Sequence, residues 1–138
     1  MQKIALSALV LFSSITYAEQ LTTFAGIADA VAQGKEITLV MNLQECTSDN
    51  FPASPIIGSV KPNAFMVINN NRITASDRHF TLDNPTANGN PTFEYIKYNI
   101  NSDGKVSIKN TIMNATNYQK MDTFQVSCEL NKGFKAFG

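Results

Sequence analysis

The sequence predicts a mainly β fold: a small antiparallel β-sandwich or partly closed barrel carrying one N-terminal α-helix. Three observations lead there. A single helical stripe of apolar residues comes first, period-two alternation dominates after Gly34, and turn-forming residues recur at short intervals between the alternating runs. About six to eight short strands separated by such turns are what small sandwiches and barrels are made of.

The elements follow in chain order. Residues 1–18 read as an export signal, with Lys3 near the start, an apolar run from Ile4 to Ile15, and Thr16 and Ala18 as the small residues of a cleavage site before Glu19. That run is shorter than the roughly 20 apolar residues a membrane-spanning helix needs. Residues 19–138 then form a single mainly-β domain. Leu21, Phe24, Ile27, Ala28 and Val31 recur at three- and four-residue steps and predict a helix, with Thr22 or Thr23 as its N-cap and Gly34 as its left-handed stop. Beyond Gly34 the period changes. Ile37, Leu39, Met41 and Leu43 take one face of a strand, and Glu36, Thr38, Asn42 and Gln44 the other.

Between Cys46 and Asn63, the residues Pro52, Pro55 and Pro62 predict a long loop with a short strand near Ile56–Val60. Ala64–Ile68 reads as a strand, the Asn69–Asn71 triplet as a tight turn, and Arg72–Ala75 as the strand that follows. His79–Leu82 reads as a separate short strand before a polar loop from Asp83 to Pro91. The last third is clearest. Ile96, Tyr98 and Ile100 share one face, Val106, Ile108 and Ile112 share another, and Asn101–Gly104 supplies the hairpin turn between them. Phe124, Val126, Cys128 and Leu130 alternate with Thr123, Gln125, Ser127 and Glu129, the pattern of a half-buried strand.

Composition narrows the function. The chain has 11 basic and 11 acidic residues in 138, scattered without a run of like charges. Such a surface lacks the clustered Lys and Arg that nucleic acids or anionic membranes require. No second apolar stretch approaches membrane length, so no membrane span is expected and the destination is periplasmic or secreted. Cys46 and Cys128 are the two cysteines. In an oxidising compartment they are expected to pair as the single possible intramolecular disulfide, closing a loop of roughly 80 residues and stabilising the fold by about 4 kcal/mol in the chain-entropy picture. The domain is expected to be a monomer without cofactor or metal.

Few residues offer chemistry. Asp77-Arg78-His79 contains the only histidine, and a carboxylate two residues from an imidazole on one strand face suits a general base. Ser54, Ser59 and Ser76 are conceivable nucleophiles, but no Gly-x-Ser-x-Gly elbow surrounds any of them. Asn99–Gly104 superficially resembles the start of a calcium loop, yet Asn110 occupies the position where a bidentate glutamate belongs, and its flanks are strands. One histidine and two distant cysteines do not make a zinc site. Glu94 and Glu129 are placed on solvent faces, which leaves them as surface charge instead of a hydrolytic pair. Asn114-Ala115-Thr116 is a glycosylation sequon. Phe134 and Phe137 lie beyond the last expected strand, where they either cover the open end of the core or present an apolar contact surface.

Across Ala28–Thr47, Ala64–Leu82 with Ser76-Asp77-Arg78-His79, and Phe93–Ile112 with its Ser102-Asp103-Gly104 turn, the chain resembles the bacterial VirK family of small exported proteins. The resemblance implies a signal-bearing protein of Gram-negative, host-associated bacteria, linked by its name to virulence and without an established activity. The leading expectation is therefore a non-catalytic exported protein that meets a partner protein through surface contacts, with Phe134, Phe137, Asp77 and His79 as candidate contact residues. The alternative is a carrier of a small apolar ligand in the β interior, lined by Phe65, Phe80, Phe93 and Tyr95. A hydrolase using Asp77 and His79 ranks last.

Overall fold

A computed structural model describes residues 17–48 and 54–138. The apolar run of the expected leader and the proline at position 52 lie outside the described residues. The helix α1 spans Phe24–Ala32. Of the two expected caps the chain uses Thr23, whose Oγ1 accepts the Gly26 N–H at 3.0 Å. Gly34, at φ 68°, ends the helix while its neighbour Lys35 donates back to the Ala30 carbonyl. Leu21 belongs not to the helix but to a two-residue strand, β1 (Gln20–Leu21).

Eight further strands follow: β2 (Thr38–Asn42), β3 (Ile57–Val60), β4 (Ala64–Ile68), β5 (Arg72–Thr81), β6 (Thr92–Asn101), β7 (Lys105–Asn114), β8 (Lys120–Leu130) and β9 (Gly133–Phe137). They form one sheet in the order β3-β2-β9-β8-β7-β6-β5-β4, with β1 added along β9. Every pairing is antiparallel except the short parallel contact of β8 with β9. The sheet curls into a half-barrel, the partly closed barrel of the two expected architectures.

Two expectations are corrected. The stretches Arg72–Ala75 and His79–Leu82 are not separate strands, because β6 pairs continuously from Arg72↔Asn101 to Thr81↔Thr92 and holds the polar middle in line. Nor do Phe134 and Phe137 lie beyond the last strand: they belong to β9, which is inserted between β2 and β8.

Strand lengths are unequal, and this shapes the interior. Strands β5, β6 and β7 have 10 residues and β8 has 11, whereas β2, β4 and β9 have 5 and β3 has 4. β4 covers only the Arg72–Ser76 half of β5, and β9 meets β8 only at Glu129 and Leu130. The other halves of the long strands overhang. At the covered end the concave face is packed solid by Leu39, Ile73, Tyr98, Ile100, Val106, Phe134 and Ala136, with Ile27 and Ala30 of α1 closing it. Burying a side chain of this size contributes about 1.5–3 kcal/mol.

The Cys46–Cys128 disulfide, with 4.5 Å between Cα atoms, ties the segment after β2 to β8 at the same end. Reciprocal backbone bonds of 2.8 Å between Thr47 and Ser127 flank it. The chain then passes from β8 into β9 through Gly133 at φ 77°, where a Cβ would stand 2.8 Å from Cys46 Sγ. Only glycine meets both demands.

Candidate functional site

The uncovered end of the half-barrel encloses a trough of about 650 Å³. Its floor comes from the concave face of three long strands: Glu94, Ile96 and Tyr98 of β6, Ile108 and Asn110 of β7, and Phe124 and Val126 of β8. Met41, Leu43, Gly58 and Val60 make the opposite wall, and Ser54, Pro55 and Ile56 stand at its rim. Register explains the membership. Glu94 pairs with Ile112, Ile96 with Asn110 and Tyr98 with Ile108, so the even-numbered residues of both strands share the concave face.

The lining is apolar apart from a small polar group. The Glu94 carboxylate accepts from Asn84 Nδ2 at 2.7 Å and from Asn110 Nδ2 at 3.1 Å. The Asn110 Oδ1 is buried and has no hydrogen-bond partner among the described residues. Tyr98, 1 % exposed, lies where the trough meets the packed core. Burial, and secondarily the nearby Asp77 charge, pushes its hydroxyl up to about 12. Among the described residues, no basic side chain lines the trough.

The candidate residues named from sequence are dispersed. Asp77 and His79 do share a face of β5, the concave one, opposite Ile96 and Glu94. No hydrogen bond joins them; Asp77 Oδ1 instead accepts the Arg78 N–H at 2.8 Å. Ser76 lies on the other face of β5 and Ser59 on the other face of β3, while Ser54 sits at the trough rim. These side chains are not assembled into a nucleophile–base pair. Phe134 is fully buried and packs near the Tyr98 ring at 6.4 Å, which takes it out of any contact surface. Phe137 is half-buried in register with Thr38 and Gln20.

The aromatic lining expected for the interior is also corrected. Phe65 packs against the core, but Phe93 and Tyr95 have the opposite parity to Ile96 and Tyr98 on β6, and Phe80 pairs with Phe93, so all three stand on the convex face. There Phe93 meets Phe80 at 5.6 Å, Tyr95 at 6.1 Å and Tyr118 at 6.1 Å, with the Arg78 guanidinium 5.0 Å over its ring. Glu94 lies inside the trough and not on a solvent face; Glu129 is exposed as expected. The missed residues, Glu94 and Asn110, carried a readable signal: each has the parity of the apolar set on its own strand. Asn99–Gly104 is a hairpin turn, closed by the Gly104 N–H on the Asn101 carbonyl and the Lys105 N–H on Asp103 Oδ1, both at 2.9 Å. Among the described residues no three His, Cys, Asp or Glu side chains converge to hold a metal, and no helix is long and apolar enough to cross a membrane.

The family model described as VirK protein matches residues 20–118. A crystal structure of a VirK family protein from Legionella pneumophila is similar at a TM-score of 0.83 and 53% identity, covering 86% of this chain and 98% of that one. An uncharacterised protein, y4wH, of Sinorhizobium fredii is 25% identical over 120 residues, covering 85% of this chain and 81% of the relative. A second uncharacterised protein, from Rhizobium radiobacter, is 25% identical over 116 residues, covering 82% and 78%.

Proposed function

The chain belongs to the VirK family, and we propose that it is an exported, non-catalytic binding protein whose half-barrel trough takes up an apolar ligand. The observation that carries this reading is the trough itself. Its volume of about 650 Å³ falls within the roughly 300–1,000 Å³ of small-molecule sites, and its few polar groups amid apolar walls are the usual composition of such sites. A hollow of this kind stands out in a domain whose other end buries Leu39, Ile73, Ile100 and Phe134 completely. The dispersal of Asp77, His79 and the serines supports binding over turnover, and the Cys46–Cys128 disulfide suits an oxidising compartment.

Native mass spectrometry of protein purified from a periplasmic extract without reductant tests the proposal. Extra mass that disappears on denaturation is the expected result. A bare native mass, together with no uptake of the apolar dye N-phenyl-1-naphthylamine, overturns it. The denatured mass also reads cleavage after Ala18 and the two hydrogens lost in the disulfide.

A second reading, contact with a partner protein, draws on the convex aromatic cluster. Phe80 is 52% and Tyr118 59% exposed, beside the Arg78 guanidinium. Exposed aromatics next to arginine are the usual anchors of protein interfaces. Exchange of Phe80 and Tyr118 for serine abolishes partner capture in this reading and leaves dye uptake in the trough unchanged.

A further inference from the structure

We infer that the occupant of the trough is an amphiphile with a hydrogen-bond-donating cationic head, an alkyl- or arylammonium, seated on Glu94; this rests on the trough being a ligand site. The argument begins with the carboxylate. An ionised glutamate only accepts, and its two oxygens offer about four lone-pair positions. In this fold each oxygen takes one bond from a neutral side-chain amide, Asn84 on one side and Asn110 on the other. No lysine or arginine pairs with Glu94 among the described residues, whose two ion pairs are Lys61–Glu36 and Lys105–Asp103. His79 is its cross-strand neighbour on β5 and makes neither a hydrogen bond nor an ion pair with it. A negative charge thus faces an apolar hollow without a counter-ion.

The two amide bonds hold the carboxylate in place, Asn110 from the adjacent strand and Asn84 from the loop before β6, and leave about two of its lone-pair positions open. A carboxylate with open lone pairs and no counter-ion among the described residues is complementary to an ammonium group, which offers several N–H donors and a positive charge together. Ile96, Ile108 and Val126 continue the same concave face toward Tyr98 and provide the bed for its apolar tail. The arrangement also selects against the mirror-image ligand. A fatty carboxylate laid in the trough would bring its charge against Glu94 with no basic residue among the described lining to receive it.

The test compares three ligands of one chain length, decylamine, decanol and decanoate, by titration calorimetry on the folded protein at neutral pH and below their micellar concentrations. The expected order is amine, then alcohol, then carboxylate, with the amine at least about tenfold tighter than the carboxylate. Glu94→Gln brings the amine and carboxylate to within about twofold while the alcohol is held as before. Equal binding of all three by the natural protein, or a preference for decanoate, overturns the cationic head and leaves the trough as a ligand site. Failure of all three to bind overturns both. The order in the natural protein decides the matter even if the variant does not fold.

Discussion

The two ends of the half-barrel share one sheet face and one residue parity, yet one is filled and the other hollow. At the filled end, Ile73, Tyr98, Ile100 and Val106 of the long strands meet α1, Leu39 of β2 and Phe134 of β9. At the hollow end the same strands continue through Ile96, Asn110 and Phe124, which line the trough across from Met41, Leu43 and Val60. The chemistry of the strands changes little between the two. What changes is what lies opposite: β2, β4 and β9 stop after five residues while β5–β8 run for ten or eleven. Interiors close only where a second layer supplies atoms to fill them. The cavity is therefore a product of strand length, and its polar floor is set by which residues the overhang happens to carry.

This contrast can be broken by substitution. Phe134→Ala removes a fully buried ring at the filled end and is expected to lower unfolding free energy by about 3–5 kcal/mol. Val126→Ala shortens a half-buried side chain of the trough floor that packs against the edge of the core and is expected to cost about 1 kcal/mol, less than Phe134→Ala, since the space it leaves opens onto the trough. Urea titrations of the two variants compare the ends directly; equal losses would mean that the trough is closed in solution.

Tyr98, at the boundary, sharpens the comparison by titration. Its hydroxyl is pushed up to about 12, above the ordinary value near 10. Between those values an unfolded chain has already released the proton that the folded one retains, so stability is unaffected below about pH 10 and falls as pH rises toward 12. Absorbance at 295 nm is expected to show one late-ionising tyrosine, and Tyr98→Phe to remove both that step and its share of the alkaline loss. A tyrosine ionising near 10 in its place would mean that water fills the trough down to the ring.

The smallest effect is expected outside both ends. Lys61 bonds Glu36 at 2.8 Å on the open surface, and that bond and the lysine charge hold the Glu36 carboxyl below its usual range. A lowered carboxyl contributes stability above its unfolded value and loses it as pH falls through the folded one. Exposed pairs of this kind are screened by salt. Lys61→Ala is expected to raise the Glu36 titration midpoint in NMR while leaving the urea midpoint unchanged at physiological salt.

Much of the fold was legible in the chain because it is written locally. Thr23 and Gly34 bracket the helix, Ala64–Ile68 is a strand to the residue, and the Asn101–Gly104 hairpin is set by its own turn residues. The features that were not legible depend on pairing. Arg72–Thr81 reads as two strands until β6 is placed alongside, and the polar segment Ser76–Arg78 is carried by that partner. Phe134 looks like a tail residue until β9 is known to lie between β2 and β8. The trough is a middle case. Glu94 and Asn110 stand two residues from Ile96 and Ile108, so parity alone puts them on the concave face. That the face is uncovered there follows from where the short strands end, which no local pattern records.

The position of β9 also sets a timetable. It is the last strand in chain order, yet it occupies an interior place in the sheet, with β2 on one side, β8 on the other and β1 along its end, where Glu19 and Gly138 exchange two 3.0 Å backbone bonds. Until residues 133–137 emerge, β2 and β3 have no route to the other strands through the sheet. Their pairing with β9 joins segments nearly the whole domain apart, the kind of contact that forms slowly. A chain made from its N-terminus forward thus holds Leu39 and Met41 without their β9 partners for most of its synthesis, and completes its sheet in one late event.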